Sequence, residues 1–598
     1  MTYNLISGPV TRLCSTIVTV VVLACFLESC SSPNVPDTPA DPPNIIFILT
    51  DDQRWDALGY AGNKLAHTPE MDRLAAEGVY FSHAMVTTPI CAASRATILT
   101  GLYERTHRYD FRTTAIKNEF METSYPLELK KVGYFTGFYG KLGVKYDREE
   151  ELFDEFESYD RNNRFKDYRG YYYKTLQGDT VHLTRYTGQK ALDFLDRVPE
   201  DKPFCLSLSF SAPHAHDGAP DQYFWQNASD SILVSTTIPE PDLMDDAWFD
   251  ALPVQVREGF NRVRWYWRYD TPEKYQHSIK GYYRMIAGID REIAGIREKL
   301  KESGRDENTV IIVMGDNGYF LGERQLAGKW LMYDNSVRVP LIIYDPRYRH
   351  HREIEQMAMN IDIPATILDL AGGDIPGEWQ GRSLVPFLTT ESYDLERDTA
   401  LIEHLWEFEH IPPSEGLRTD QWKYLRYVND HTIEEMYNLK DDPRETRNLA
   451  GDFQYRDTLD KFRLQLEKMA YQYRDPYVGA PVGLVVSSGL GSDPTLDNLQ
   501  ENKSVIRIDS LPVYEWEMPE GAGNQQAYQI LVASSLEKID LNIGDVWNSG
   551  EVESPDYSNI AHQGQALEPG NQYYWKVRIW DELHRLTEYS RPVSFQYR

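Results

Sequence analysis

The chain has 598 residues, too many for a single domain; at about 100–200 residues per domain it holds about three or four. Its formal net charge of -30 sets a long-range field against nucleic acids and anionic membrane surfaces and excludes both as general partners. A small anionic substrate needs only a local cluster of cations, and the 40 Tyr and 13 Trp suit stacking on sugar rings, though they are also ordinary in exported proteins.

In chain order, residues 1–30 read as a lipoprotein signal. Arg12 precedes an apolar run from Ile17 to Leu27 that is too short to span a bilayer. The run leads into LESC and a Pro-rich tether over 31–42. Cys30 is the expected lipidated residue and Cys25 a second candidate, so the chain is expected to be exported and held at the bacterial envelope by a lipid alone. Cys14 also lies in the signal, which leaves Cys91 and Cys205 of the five cysteines. Cys205, in PFCLSLSF, reads as a buried strand thiol. Cys91 lies in PICAASRATILTG, read as a polar turn of small residues. Nothing supports a disulfide between the two. An exported protein that keeps such a cysteine usually has a chemical use for it.

PNIIFILTDDQ and NTVIIVMGDNG are apolar runs ending in acids, the pattern of buried parallel strands whose carboxyl ends bind ligands. Between them lie helical stretches such as PEMDRLAAEG and YRMIAGIDREIAGIREKLKESG; in the latter Met285, Ile289, Ile293, Ile296 and Leu300 recur at helical spacing. This predicts an α/β core over 43–375. A smaller α+β subdomain is expected over 376–480, from KYLRYV, EEMYNL and the amphipathic YRDTLDKFRLQLEKMAYQYR. Over 485–598, the segments PVYEWEM, AYQILVASS, YYWKVRIWDE and VSFQYR alternate between turns and predict an all-β sandwich.

Asp51, Asp52, Asp316 and Asn317 are each unremarkable as caps or turns. Together they put hard oxygen donors at two strand ends, which suits Ca²⁺ or Mg²⁺. No Cys- or His-rich spacing points to zinc.

The ordered set TDDQ, CAASRATILTG, GYFTGFYGK, SAPHAH, MGDNGYFLGE and GKWLMYDNSVRVPLIIYDP resembles the type I, formylglycine-dependent sulfatases. DIPATILDLAGG, QGRSLVPFL and MYNLKDDPRETRNLA extend the resemblance over about residues 43–475. It implies an alkaline-phosphatase-like α/β core. It implies that a maturase converts Cys91 to Cα-formylglycine, whose hydrated aldehyde binds metal and attacks sulfur to give a sulfo-enzyme. Arg95 would hold that residue. Asp51, Asp52, Asp316, Asn317 and the modified Cys91 would bind one divalent cation, Ca²⁺ or else Mg²⁺. Lys141 and Lys329 would contact sulfate oxygens, and His214 would stand at the leaving oxygen.

Two positions depart from the pattern. Ala93 replaces a common proline in the stretch the maturase reads. Gly143, in GKLGV, stands where the family often has a histidine, with His216 and His107 as candidates to replace it. RYDFR (108–112) locally resembles the iduronate-sulfatase branch. RNNRFKDYRGYYYK and NRVRWYWRYD read equally as sugar subsites or as surface loops with snorkelling side chains. Residues 500–598 resemble the fibronectin-III-like module of bacterial α-L-rhamnosidases, through AYQILVASS, GDVWNSGEV and LEPGNQYYWKVRIWDE.

The expected substrate is a sulfated oligo- or polysaccharide, with a rhamnose-containing polymer such as ulvan suggested by the module. The alternatives are a phosphate or phosphonate monoesterase of the same superfamily and a non-catalytic sulfated-glycan-binding protein. The missing histidine favours the last, whereas Cys91, both lysines and the full ligand set oppose it.

Overall fold

In the computed structural model the described residues are 42–113, 115–161, 170–348, 351–474, 482–488, 506–508, 510–519, 524–581, 586–587 and 589–598. The expected signal over 1–30, with Cys14, Cys25 and Cys30, lies outside them, as does all but the last residue of the tether.

The strands of the main sheet are β1 (Asn44–Asp51), β2 (Val79–Phe81), β3 (Phe135–Gly140), β4 (Glu155–Ser158), β5 (Phe204–Pro213), β6 (Thr309–Gly315), β7 (Leu341–Tyr344) and β8 (Arg352–Ile354). Their spatial order is β8-β2-β7-β6-β1-β5-β3-β4. Only β7 runs against its neighbours. β1 is central and parallel to both β5 and β6, with Ile46 paired to Leu206 on one side and to Ile311 on the other. Its side chains are apolar on both faces because both are covered.

The covering helices are α1 (Pro69–Glu77), α2 (Cys91–Thr100), α3 (Glu104–His107), α4 (Leu183–Arg197), α5 (Phe260–Arg268), α6 (Pro272–Glu302) and α7 (Asp362–Leu370). Alternation along β1 divides the core into two layers. Phe47 and Leu49 pack in one layer with Ala92, Ala96 and Leu99 of α2 and with Ile363 and Ile367 of α7. Ile46 and Ile48 pack in the other with Leu74 of α1, Phe194 of α4 and Ile289 and Ile293 of α6. α6 begins on a Thr271 cap that accepts the Lys274 N–H, with Pro272 in its first turn. The doubly covered α/β sheet is the fold the sequence predicts.

One local expectation is corrected. Cys91 is not in a turn; it opens helix α2, all ten residues of which are buried. Ala92, Ala93 and Ala96 are strong helix formers. The helix stops at Gly101, whose φ of 69° needs no Cβ and whose N–H bonds Thr97 O. With no exposed face, the stretch carries no amphipathic period to mark it as a helix.

The next unit is an antiparallel sheet of β9 (Ala400–His404), β10 (Ser414–Arg418), β11 (Trp422–Tyr427) and β12 (Asp430–Asn438), packed by α8 (Arg456–Gln472). Its core also takes in Phe320, Trp330 and Tyr333, so the segment carrying Lys329 is anchored on this subdomain. The last unit is a two-sheet β module. One sheet contains Val482–Ser488, Pro512–Glu517 and Ile560–Ala561; the other is built around β13 (Gln525–Ala533) and β14 (Gln572–Asp581). Tyr514, Trp516, Trp575 and Phe595 fill the space between them. No helix among the described residues is long and apolar enough to cross a membrane.

Candidate active site

β1 and β6 end side by side, with Thr50 paired to Gly315. Register alone therefore brings Asp51 and Asp52 next to Asp316 and Asn317. Asp52 has a left-handed φ of 70°, which aspartate tolerates better than most residues. Its N–H donates to Asp316 Oδ1 (3.1 Å), and Asn317 Nδ2 donates to Asp52 Oδ1 (2.7 Å). All four side chains are buried.

Three cations close on these acids. Lys141, just past β3, donates to Asp51 Oδ2 at 2.5 Å. Lys329 donates to Asp52 Oδ1 at 2.5 Å and lies 3.6 Å from Asp51 Oδ1. Arg95, one turn into α2, donates from Nε to Asp316 Oδ2 (2.8 Å) and from Nη1 to Lys141 O (2.6 Å) and Ser209 Oγ (2.5 Å). Its Nη2 has no hydrogen-bond partner and stands 3.6 Å from Asp51. Cys91 is a free, buried thiol that opens α2, one turn before Arg95.

Burial pushes Asp51 towards neutrality, but Lys141, Lys329, His214 and Arg95 together hold it well below the usual carboxylate range. Burial and then Asp51 raise Asp316 to about 6, with Arg95 opposing. The lysines lose hydration too, yet the carboxylates and Cys91 keep both above the ordinary lysine value.

These residues fit a divalent cation. Asp51 Oδ1, Asp52 Oδ2 and Asn317 Oδ1 are buried oxygens without a hydrogen-bond partner, and such orphans call for an explanation. Asp51, Asp52 and His214 each present a donor atom within 4.8 Å of the others. Each Asp316 oxygen takes one N–H and keeps a second lone pair. A hard oxygen set of this kind suits Ca²⁺.

His214 follows β5. Its Nδ1 lies 2.5 Å from Ala215 O, which can only accept, so Nδ1 carries the proton. Nε2 is 3.1 Å from Arg161 Nη2 and 3.6 Å from Asp52 Oδ2. Burial, Arg161 and Lys329 hold the ring well below the ordinary histidine value.

Gly143 lies beside Arg95 with a φ of 72°, and a Cβ there would come within 2.7 Å of Arg95 Cδ. The backbone thus has no room for the family's histidine. Of the two candidates to replace it, His107 is fully engaged: Nε2 contacts Thr97 Oγ1 (3.2 Å) and Nδ1 accepts the Tyr109 N–H (3.0 Å). His216 keeps a buried Nε2 without a partner.

Several residues of the site were not singled out from sequence. Asp160 and Arg161, just after β4, reach Lys141 (3.8 Å) and His214 respectively. Asp217, three residues past His214, is held by Arg268 and by Arg264 (3.1 Å) of α5. Asn261 Nδ2 donates to Lys329 O at 2.9 Å. The two basic-aromatic stretches flagged in the sequence thus both send side chains to the site, although 162–169 lie outside the described residues. Trp330 stacks on Phe408 (4.5 Å) and meets Trp406 (5.3 Å), forming an aromatic wall beside Lys329.

The sulfatase family model matches residues 43–373, and a model for the C-terminal part of N-sulphoglucosamine sulphohydrolase matches 322–472. A model for the Rha78A-like N-terminal immunoglobulin domain matches 496–597. An N-acetylglucosamine-6-O-sulfatase of Bacteroides thetaiotaomicron is 28% identical over 519 residues, covering 76% of this chain and 90% of that protein. An ulvan-active sulfatase of Formosa agariphila is 24% identical over 458 residues, covering 73% and 82%. A structure solved with its substrate D-glucosamine-2-N,6-O-disulfate superposes with a TM-score of 0.61 at 26% identity, covering 72% of this chain and 98% of that one. Since the sulfatase model spans more than half of the chain and the buried cluster lies within that span, this protein belongs to the sulfatase family and is a sulfuric ester hydrolase.

Proposed function

We propose that this enzyme hydrolyses sulfate esters of a sulfated polysaccharide, with residue 91 matured to formylglycine and one Ca²⁺ held by Asp51, Asp52, Asp316 and Asn317. A rhamnose-containing polymer such as ulvan is the favoured substrate, on the ulvan-active relative and the Rha78A-like module. The chain would work outside the cytoplasm, anchored through Cys30. The observation that carries the reading is the set of three orphaned buried oxygens, set among Arg95, Lys141 and Lys329 at the start of the helix that bears Cys91.

A bound Ca²⁺ supplies Lewis-acid charge, and a hydrated formylglycine supplies a hydroxyl nucleophile with a second hydroxyl that later releases sulfate. The chain's own residues do the rest. Arg95 ties α2 to β6 and to the Lys141 carbonyl, so residue 91 is fixed relative to the acids. Lys141 and Lys329 bring charge to a sulfate ester that spreads its negative charge over several oxygens. His214 keeps its proton on Nδ1, so Nε2 must first take up a proton before it can give one to the leaving oxygen. Burial keeps bulk water from all of these groups.

The test is the mass of the peptide carrying residue 91, from protein made in a host with the maturase. The expected product has oxygen in place of sulfur and two hydrogens fewer. Cys91→Ser should then lower turnover of 4-methylumbelliferyl sulfate by about a thousandfold or more. An unmodified thiol in active protein, or an active serine variant, would overturn the reading.

A further inference from the structure

A second pocket lies away from the catalytic cluster, and three parts of the chain build it. Residues 104–112 give one wall, the β9–β12 sheet with α8 gives another, and the β module closes it with Arg578 of β14 and Tyr589. The empty space within it is about 810 Å³, its open mouth included.

At and just behind its wall five arginines meet five carboxylates, Glu104 among them, but the pairing is uneven. Arg105 is matched by Glu403 and Glu415, Arg426 by Glu415 and Glu467, and Arg112 by Asp110. Two guanidinium groups have no carboxylate within ion-pair distance among the described residues. Arg108 has a buried Nε without a hydrogen-bond partner and forms no ion pair among the described residues. Arg578 donates Nε to Gln529 Oε1 (2.8 Å) and otherwise rests against the rings of Trp580 and Tyr589, at 5.2 and 4.7 Å. His431, on the pocket wall, keeps a buried Nε2 unpartnered. In a chain of net charge -30, two arginines outside any ion pair and an orphaned ring nitrogen in one hollow point to an anionic ligand.

The pocket also connects with the reaction centre. Trp406, on its wall, lies under Arg112 (5.4 Å) and edge-on to Trp330, the residue after Lys329. Phe111, exposed, touches both tryptophans at 5.7 and 5.8 Å. Rings therefore run in contact from the residue after Lys329 to the arginines; Trp330 and Trp406 are buried, and Phe111 is the exposed member on which a sugar ring can rest.

We propose that this pocket binds the oxyanion, carboxylate or sulfate, of a neighbouring unit in the same saccharide whose ester is cleaved, which makes the β module part of the substrate-binding surface. This rests on the carbohydrate sulfatase reading above. Arg108 and Arg578 grip the anion, and Tyr589 and the exposed Phe111 offer the ring a face.

The test uses the full-length protein and uronate-containing tetrasaccharides from ulvan and from heparan sulfate, each before and after chemical desulfation. Binding is followed by calorimetry for the parent, Arg108→Gln and Arg578→Gln. Each substitution should weaken binding by about tenfold or more. Loss with the desulfated probes identifies a carboxylate ligand, and loss confined to the sulfated probes identifies a sulfate; either supports the proposal. Arg108→Gln removes no hydrogen bond or ion pair found among the described residues, and an unchanged melting temperature of the variant separates lost binding from misfolding. Parent-like binding in both variants, or no binding of any probe by the parent, overturns the proposal. Sulfate release from 4-methylumbelliferyl sulfate by the parent is read separately: its absence would sink the sulfatase mechanism without bearing on the pocket.

Discussion

Gly143 shows how a single residue sets the terms for its neighbours. Its left-handed backbone costs any L side chain about 1–2 kcal/mol, and a Cβ would press on the middle of an Arg95 side chain pinned at both ends. Gly143→Ala should therefore lower the melting temperature and also reduce turnover of an aryl sulfate, because Arg95 has nowhere to yield. Gly143→His should not restore a better enzyme. Parent-like stability and activity in the alanine variant would refute the packing argument. Asp316 is the complementary case. Its carboxylate holds the Asp52 N–H and Arg95 Nε together, so Asp316→Ala should abolish both bound calcium, measured by elemental analysis, and activity. Full calcium content in that variant would remove Asp316 from the ligand set.

At the scale of elements, the buried ion pairs between α3, β10, β11 and α8 carry the electrostatic load of the subdomain. Glu415 of β10 sits between Arg105 and Arg426. Burial raises its pKa, but Arg426 and Arg105 overcome this and hold it well below the usual range. A carboxylate depressed in the folded state stabilises fully above its unfolded pKa of about 4.3 and loses that contribution as the pH falls. Glu415→Gln should thus cost about 3–5 kcal/mol at neutral pH, and the gap in melting temperature from the parent should narrow towards pH 3. A gap that stays constant with pH would show that the pair is not responsible. The elements differ in how far sequence reveals them. β1 and β6 are legible because a strand covered on both faces must be apolar throughout, and the acids mark where each leaves the sheet. Helix α2 is hidden by its own burial, which erases the polar face that would show its period. Arg161, Asp217 and Arg264 are hidden for another reason: Arg161 meets His214 across 53 residues, and Arg264 meets Asp217 across 47. No local pattern encodes such partners.

For the whole molecule, the fold class is legible, because the α/β part and the β module each have their own periodicity. The joint between the β module and the subdomain is not, since Arg578 and Arg108 lie far apart in sequence and neither belongs to a motif of the other's unit. The catalytic cluster sets Arg95, Lys141 and Lys329 against Asp51, Asp52 and Asp316. Matched in this way, the side chains alone project little field beyond the cluster, and a bound divalent cation would add only a local positive charge, while the molecule as a whole carries -30. A polyanionic substrate therefore approaches uphill until mobile ions shorten the repulsion, whose reach falls from about 30 Å at 0.01 M salt to about 3 Å at 1 M. The specificity constant on anionic oligosaccharides should rise as sodium chloride is raised from 0.01 M to about 0.3 M, and a steady fall would contradict this. An enzyme so charged is slow to capture its polymer in dilute buffer and quick to do so in brine.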